Sequence, residues 1–330
     1  MRRCSRRLLC HSAPVVTLAV ALASGLGGCG EDFDPFNRLT SLRVLAIKAD
    51  PPSPGPGETT TLSALVYTPP SLMGDAGGAP AVTFQWSWCP LPGSANEGYP
   101  CSVSEAELQS MAMQAGIAVP AYDLGQGATA MLPHNINPLL LQQICTGVEG
   151  LPQSIDCEGG FPAQVKLVVK AGGDEVVTVR TLRLRFGTSE PNANPRIDGL
   201  TISLPDMVTD LPIGDTPEVT IPRVEASTLK AAVPLEMAAE RYTGKDQNMQ
   251  VAMLREQLTL TWFIESGDTD EERTRWVEGG YQAEKTFENE WEPDRVKDYA
   301  RDTSKVIVVI RDNRGGVDWR GAAVKLEAAP

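Results

Sequence analysis

Two segments of the chain alternate apolar and polar residues with a period of two, and each places tryptophan on its apolar face. The residues on these faces are Val82, Phe84, Trp86 and Trp88 in the first segment, and Leu258, Leu260, Trp262 and Ile264 in the second. Alternation of this kind puts every apolar side chain on one face of a strand. Because such a face must be covered by another sheet, each half of the chain predicts its own β-sandwich.

Glycine pairs separate neighbouring predicted strands. In "QVKLVVKAGGDEVVTVRTLRLRF", Gly172-Gly173 predicts a two-residue hairpin turn between two strands. The apolar parity shifts within the second of these strands, which predicts a bulge near Arg180-Thr181. The end of the chain, "SKVIVVIRDNRGGVDWRGAAVKLE", again gives a strand, a polar turn and a strand. Short strands separated by turns are typical of a sandwich.

An insertion interrupts the first sandwich at about residues 90–160. Ser104-x-x-Glu107 is a capping box that predicts one short helix, and Asn137-Pro138 predicts the start of a second. The four cysteines of this region are Cys89, Cys101, Cys145 and Cys157.

The cysteines of the insertion are even in number, which in an exported chain indicates disulfides. Their equal spacing favours Cys89–Cys101 and Cys145–Cys157, although the crossed pairing, Cys89–Cys157 with Cys101–Cys145, satisfies the same count. The sequence has no C-x-x-C motif there, so the spacing does not favour a zinc site.

The first 28 residues have the features of a secretory signal peptide. Arginines precede an apolar run from Ala13 to Leu26, and this run is shorter than the roughly 20 residues of a spanning helix. The end of the run, Leu26-Gly27-Gly28-Cys29, resembles the bacterial lipobox.

The lipobox resemblance implies that Cys29 is diacylated on sulfur and becomes the mature N-terminus, which anchors the chain in a membrane. Gly30 at the next position favours the outer membrane under the enterobacterial sorting rule. Residues 29–40 are then expected to form a tether between the lipid and the first sandwich.

The sandwich motifs also carry a resemblance to known modules. "LTLTWF" followed by "KVIVVIRDNRGGVDW" resembles the C-strand tryptophan and the F–G hairpin of Ig-like and PKD-like domains, and "VTFQWSW" gives the first half an equivalent strand. The resemblance implies a mainly β chain of two tandem sandwiches, the first at 41–188 and the second at 197–330, with a linker at 189–196. The whole pattern resembles uncharacterised lipoproteins of high-GC Gram-negative bacteria.

Composition narrows the function classes. The formal net charge of −13 argues against nucleic acid and anionic lipid as electrostatic partners. His134 is the one histidine after the leader, in the loop "LPHNINP", and it is expected to be solvated rather than catalytic. Because the sequence also lacks G-x-S-x-G, H-E-x-x-H and Walker motifs, it predicts no catalytic residue and no cofactor.

Two loops offer weak candidates for binding. "SGDTDEER" contains Asp268, Asp270 and Glu271, whose oxygens suit Ca²⁺, but the EF-hand spacing is absent and a solvated acidic loop fits as well. In "RWVEGGYQAEKTFENEWEP", three of the four aromatic residues are expected to form an exposed ligand platform, unless the loop packs back on the sandwich. These residues are Trp276, Tyr281 and Trp291.

The sequence therefore favours a lipid-anchored protein of the cell envelope that acts as a non-catalytic binding or structural module, with an envelope protein or polysaccharide as its partner. A carboxylate-dependent envelope hydrolase and a calcium-dependent adhesin are the alternatives. A hydrolase requires a cleft in which acids of perturbed pKa converge.

Overall fold

The structure is a computed structural model that describes residues 35–72, 81–93, 96, 98–114, 116, 119–146, 155–187, 189–223, 226–281, 283–293 and 302–327. The predicted signal peptide, Cys29 and the first part of the predicted tether lie outside the described residues. Within the described part of the chain, no helix is both long and apolar enough to cross a membrane.

The first sandwich packs a three-stranded sheet, in the order β1-β2-β5, against a four-stranded sheet, in the order β4-β3-β6-β7. Its strands are β1 (Arg43–Asp50), β2 (Thr59–Tyr67), β3 (Thr83–Cys89), β4 (Asp123–Gly125), β5 (Thr129–Pro133), β6 (Phe161–Ala171) and β7 (Asp174–Leu184).

Both predicted helices are present in the insertion, as α1 (Glu105–Gln114) and α2 (Pro138–Thr146). The capping box forms, because the Glu107 amide donates to Ser104 Oγ at 3.3 Å while the Ser104 amide donates to Glu107 Oε2 at 2.9 Å. The insertion also contributes to the sandwich itself, since β5 forms an edge strand of the first sheet and buries Leu132 in the core. A five-residue strand is too short to stand out in the sequence pattern.

Two disulfides close the insertion, and each joins neighbouring cysteines. Cys89–Cys101 connects the end of β3 to the segment before α1, with Cα atoms 5.7 Å apart. Cys145–Cys157 connects the end of α2 to the segment before β6, with Cα atoms 5.9 Å apart.

The β6–β7 hairpin turns at Gly172-Gly173, where φ is 58° and 103°. Positive φ at both positions is the geometry that selects glycine in such a turn. The predicted bulge near Arg180-Thr181 is wrong, because the two strands pair without a register shift from the turn to Phe161. The apolar parity changes in the sequence because Val177 and Val179 lie on the outer face of β7, while Thr178 and Arg180 share the inner face with Leu182.

The second sandwich packs a sheet in the order β10-β19-β18-β14-β16 against a sheet in the order β15-β17-β11-β8-β9, and the β12-β13 hairpin stands beside them. One helical turn, α3 (Leu235–Ala238), precedes that hairpin. The strands are β8 (Gly199–Leu204), β9 (Met207–Leu211), β10 (Val219–Pro222), β11 (Ser227–Ala232), β12 (Arg241–Lys245), β13 (Val251–Arg255), β14 (Leu258–Ile264), β15 (Asp268–Thr269), β16 (Arg273–Trp276), β17 (Glu288–Glu292), β18 (Thr303–Asp312) and β19 (Val317–Glu327).

Trp86 and Trp262 lie at the centres of the two cores, and both are fully buried. Each indole N–H also has an acceptor, Gly127 O at 2.9 Å for Trp86 and Thr274 Oγ1 at 3.1 Å for Trp262. The rings therefore contribute both apolar burial and a satisfied polar group.

The two sandwiches pack face to face through a third apolar cluster, which is named the joint here. From the first sandwich it includes Leu45 and Tyr67, and from the second it includes Phe263 and Val309. The Tyr67 hydroxyl donates to Glu265 Oε1 across the joint at 2.7 Å, in a buried position. The β14-β18-β19 region is thus covered on both faces.

The segments predicted to be the tether and the linker also take part in this packing. In the predicted tether, Asn37, Arg38 and Leu39 are buried, and the Leu39 amide donates to Ile264 O at 2.7 Å. In the predicted linker, Asn194 donates to Ala49 O at 2.8 Å and accepts from the Val317 amide at 2.9 Å. Both predicted connectors therefore pack against the sandwiches, while the domain boundaries themselves stay a prediction.

Replacing either central tryptophan should destabilise the protein strongly. We expect Trp86→Ala or Trp262→Ala to lower the free energy of unfolding by about 3–5 kcal/mol, since each leaves a large core cavity. The matched control is Tyr281→Ala, because Tyr281 is 93% exposed and its loss should cost less than about 0.5 kcal/mol. Urea denaturation followed by tryptophan fluorescence and circular dichroism measures these changes.

The joint predicts that the two sandwiches unfold together. In calorimetry of the wild-type chain, we expect a single transition, which either tryptophan substitution moves as a whole. Two separate transitions, of which Trp86→Ala shifts only one, would contradict a joint that couples the sandwiches.

Candidate functional site

The edge strand β1 is held by side chains from both sandwiches and from the linker between them. Three alternate carbonyls of β1 point away from its partner strand β2, at Leu45, Ile47 and Ala49. Arg311 Nη2 donates to Leu45 O at 2.7 Å, Arg180 Nη1 donates to Ile47 O, and Asn194 donates to Ala49 O. Since unpaired edge carbonyls need donors, these three contacts close an edge that is otherwise open.

An open cleft runs along the rim of the joint next to β1. Its main cavity has a volume of about 580 Å³ and is lined by Phe36, by the start of β1, by β14 and by the neighbouring ends of β16 and β18. A second cavity of about 270 Å³ shares Val44, Leu45, Arg311 and Asp312 with the first and continues toward Arg180.

Four arginines from four strands line this cleft, which is named the arginine cleft. They are Arg43, Arg180, Arg273 and Arg311. Arg43 donates to Phe36 O and to Ser41 Oγ, while the guanidinium of Arg273 lies 4.3 Å from the ring centroid of Phe36. Arg311 also donates to Thr261 Oγ1 at 3.3 Å, and Arg180 also donates to Gly315 O. Every partner named here is a neutral group.

Burial and mutual repulsion act on the deeper arginines. Burial lowers the pKa of Arg311, and the positive charge of Arg273 lowers it further. Burial, opposed by the charge of Asp312 and reinforced by that of Arg311, lowers the pKa of Arg180 to about 10. Both side chains remain charged at neutral pH.

Asp312 is the carboxylate that lines the cleft, and it organises the β18–β19 turn. Its Oδ1 accepts the amides of Arg314 at 2.8 Å and Gly316 at 2.7 Å, and its Oδ2 accepts Asn192 Nδ2 at 3.3 Å. Burial raises the pKa of Asp312 against these hydrogen bonds.

Glu256 is a second buried acid near the same turn. Its Oε2 accepts the Glu240 amide at 2.9 Å, and its Oε1 lies 3.1 Å from Arg314 Nη1. Burial, with the negative charge of Asp312 as the next cause, raises the pKa of Glu256 to about 7. Both carboxylates accept hydrogen bonds from backbone amides of loops. This arrangement fits a structural role in fixing the loops better than a catalytic role.

The expected aromatic platform is not formed. Trp276 ends β16 and is 5% exposed, and Trp291 lies in β17 and is fully buried, so both belong to the second core rather than to an exposed loop. Trp291 Nε1 donates to Ser266 O at 2.9 Å. The expectation is wrong for these two residues because "RTRW" and "ENEW" are short strands whose charged residues mask the alternation. Tyr281 alone of the three is exposed.

The acidic loop residues do not gather around a common point. Asp268 Oδ2 lies 3.8 Å from Arg38 Nη2, a cation that opposes the binding of Ca²⁺, whereas Asp270 and Glu271 are exposed. In the residues that the structure describes, no group of three or more His, Cys, Asp or Glu side chains is arranged to hold a metal ion.

His134 is buried rather than solvated, which corrects the expectation from its loop position. Its Nε2 lies 2.7 Å from Arg185 O, and burial lowers its pKa, so the ring is neutral and fixed in the first core. The expectation failed because the backbone of His134 pairs with Gly57 and Glu58 just before β2, which holds the ring against Arg185 O.

Sequence reasoning missed the arginine cleft altogether. Its members are far apart in sequence, and one local signal was available, since Arg180 interrupts the apolar face that Leu182 and Leu184 continue. An arginine on an inward face needs a polar partner or an opening. By itself, the change of parity in the sequence predicts a bulge instead.

Comparisons with known proteins add little to this description. No family model matches the chain, and no curated protein does. The chain is similar to the N-terminal Ig1-2 module of the Drosophila receptor protein tyrosine phosphatase DLAR, with a TM-score of 0.23, 12% identity, and coverage of 88% of this chain and 100% of that chain. It is also similar to three N-terminal domains of the bacteriophage RB49 outer capsid protein Hoc, with a TM-score of 0.15, 10% identity, and coverage of 88% and 99%. At such TM-scores, the assignment of two sandwiches rests on the sheets themselves.

The raised pKa of Glu256 predicts a pH-dependent stability. A carboxyl whose pKa is higher in the folded state binds its proton more tightly there, so its contribution is largest at low pH and is lost as the pH rises through about 7. We expect Glu256→Gln to match the wild type near pH 5 and to exceed it at pH 8 by up to about 3 kcal/mol. Urea denaturation at several pH values measures the difference between the two proteins.

The control for this prediction is Glu175→Gln, which changes an exposed glutamate on the β6–β7 hairpin. Because His134 also titrates with folding, the difference between wild type and variant is the informative quantity. A difference for Glu256→Gln that stays constant from pH 5 to pH 8 would contradict the assignment.

Proposed function

We propose that this chain is a lipid-anchored protein of the cell envelope, with an outer-membrane location, and that its two sandwiches act as a non-catalytic binding or structural module. The observation that carries the proposal is the joint, which fixes two β-sandwiches in one arrangement and leaves an open cleft at its rim. A rigid scaffold with a preformed cleft suits binding.

The two disulfides support an exported location, because such bonds persist in oxidising compartments. The leader and Leu26-Gly27-Gly28-Cys29 support the anchor, as their resemblance to a lipobox implies acylation. Several acyl chains together hold a protein at a membrane, each methylene contributing about 0.8 kcal/mol. An envelope protein or polysaccharide is the kind of partner that a module at this location would meet.

The hydrolase alternative receives less support. It requires paired acids that face a substrate, whereas Glu256 is buried and both Glu256 and Asp312 accept hydrogen bonds from loop amides. We therefore favour binding over catalysis.

Acylation is tested by substitution of the lipobox cysteine in a bacterial host. We expect the wild-type chain to lose its leader, gain the mass of its acyl groups and sediment with membranes, whereas Cys29→Ala should lack the acyl mass and either leave the membrane fraction or stay unprocessed. The matched control is Cys10→Ala, which removes a leader cysteine outside the motif and should behave as the wild type. Mass spectrometry and membrane fractionation give the result, and an unchanged mass and fractionation of Cys29→Ala would refute the anchor.

A further inference from the structure

The arginine cleft carries more positive charge than the fold requires. Asn194 donates to Ala49 O through a neutral amide, so a hydrogen bond to a β1 edge carbonyl does not require a charged donor. The carbonyls of Leu45 and Ile47 nevertheless accept from the charged Arg311 and Arg180. Arg43 and Arg273 do not bond the β1 edge carbonyls at all. The excess charge therefore needs another explanation.

The charge is also unbalanced. Elsewhere, buried or half-buried arginines have acidic partners, as Arg255 has in Glu236 at 2.8 Å and Arg314 has in Glu256 at 3.1 Å. Within the described part of the chain, none of the four cleft arginines forms an ion pair, and Asp312 is the single acid lining the cleft. This concentration of cations stands in a chain whose formal net charge is −13.

The guanidinium groups have donors to spare. A guanidinium carries five N–H donors, of which the contacts described above use two in Arg43 and two in Arg311. Arg273 lies over the ring of Phe36 and lines the cavity, and within the described residues its guanidinium makes no hydrogen bond. Repulsion between Arg273 and Arg311 would be relieved by an anion placed between them.

We propose that the arginine cleft binds the phosphate group of a small ligand. The inference deepens the proposed binding role and rests on it, but it does not depend on the lipid anchor. Arginine matches phosphate oxygens with several N–H donors at once, and a phosphate ester has more acceptor oxygens than a carboxylate, so it can bridge arginines from different strands.

The rest of the cavity fits an organic body attached to that phosphate. Val44, Leu45, Val176 and Phe263 give it apolar walls, and a volume of about 580 Å³ exceeds what a phosphate alone would fill. The ligand is thus a phosphomonoester or phosphodiester, which a free metabolite or the headgroup of a membrane lipid could supply.

The experiment uses the full chain carrying Cys29→Ala, so that no acyl chain is present and a failure of acylation is a separate result. Isothermal titration with glycerol 3-phosphate as a free phosphomonoester, and with glycerophosphoglycerol as an acyl-free headgroup, measures binding. Tighter binding of glycerol 3-phosphate supports the site with a free metabolite as its source, and tighter binding of glycerophosphoglycerol supports it with a lipid headgroup as the source.

Arg273→Gln is the informative variant because Arg273 is exposed and holds no β1 carbonyl. We expect it to weaken phosphate binding about tenfold or more, with an unchanged unfolding temperature. Arg275→Gln is the matched control, since it removes the same charge two residues away on β16 without touching the cavity, and it should change affinity less than about twofold. Arg311 is less suitable because it also holds Leu45 O and Thr261 Oγ1.

Three results would overturn the proposal. The first is no binding of either probe to the Cys29→Ala chain at concentrations up to about 10 mM. The second is an equal loss of affinity in Arg273→Gln and Arg275→Gln, which would show a general effect of net charge. The third is acetate binding as tightly as phosphate, which would remove the preference for phosphate.

Discussion

The sheet at the centre of this protein has apolar side chains on both faces, and the rest of the structure depends on covering both. On β14, Leu260 and Trp262 face the second core, whereas Phe263 faces the joint together with Val309 of β18. A sheet with one face in water would expose the apolar side chains of that face, and such exposure costs about 25 cal/mol per Å². The β1-β2 face of the first sandwich supplies the second cover, so the two sandwiches form one packed body.

Covering the sheet in this way creates a problem at the rim, where β1 is an edge strand. Its carbonyls at Leu45, Ile47 and Ala49 point away from β2 and have no neighbouring strand, and buried carbonyls require donors. A long arginine side chain can donate to such a carbonyl while its own strand stays several ångströms away. A neighbouring strand would have to lie directly beside β1 to do the same, and no space would then remain between the strands. The gap that remains is the cleft, and Arg311 and Arg180, which reach across it to β1, contribute part of its charge.

Local patterns predicted the elements of this fold better than their assembly. Period-two alternation located Trp86 and Trp262 in two cores, and turn and capping residues located the β6–β7 hairpin and both helices of the insertion. Strands of four or five residues with charged outer faces, such as those of Trp276 and Trp291, resembled loops. The joint and the cleft could not be predicted from local sequence patterns. They depend on contacts between residues more than a hundred positions apart, such as Arg180 with Gly315.

The cleft belongs to neither sandwich alone, and this ties its chemistry to the joint. Arg180 comes from the first sandwich and Arg311 from the second, and each bonds β1 while lining the cavities. Mutual repulsion among these charges opposes the close approach of the two sandwiches, and the apolar contacts of the joint offset it. An anion held between them would remove part of that repulsion, so that binding and the stability of the joint would rise together through mass action. The cleft is present only when both sandwiches are folded and packed, so under this proposal the two-sandwich body would be the smallest unit able to bind the anion.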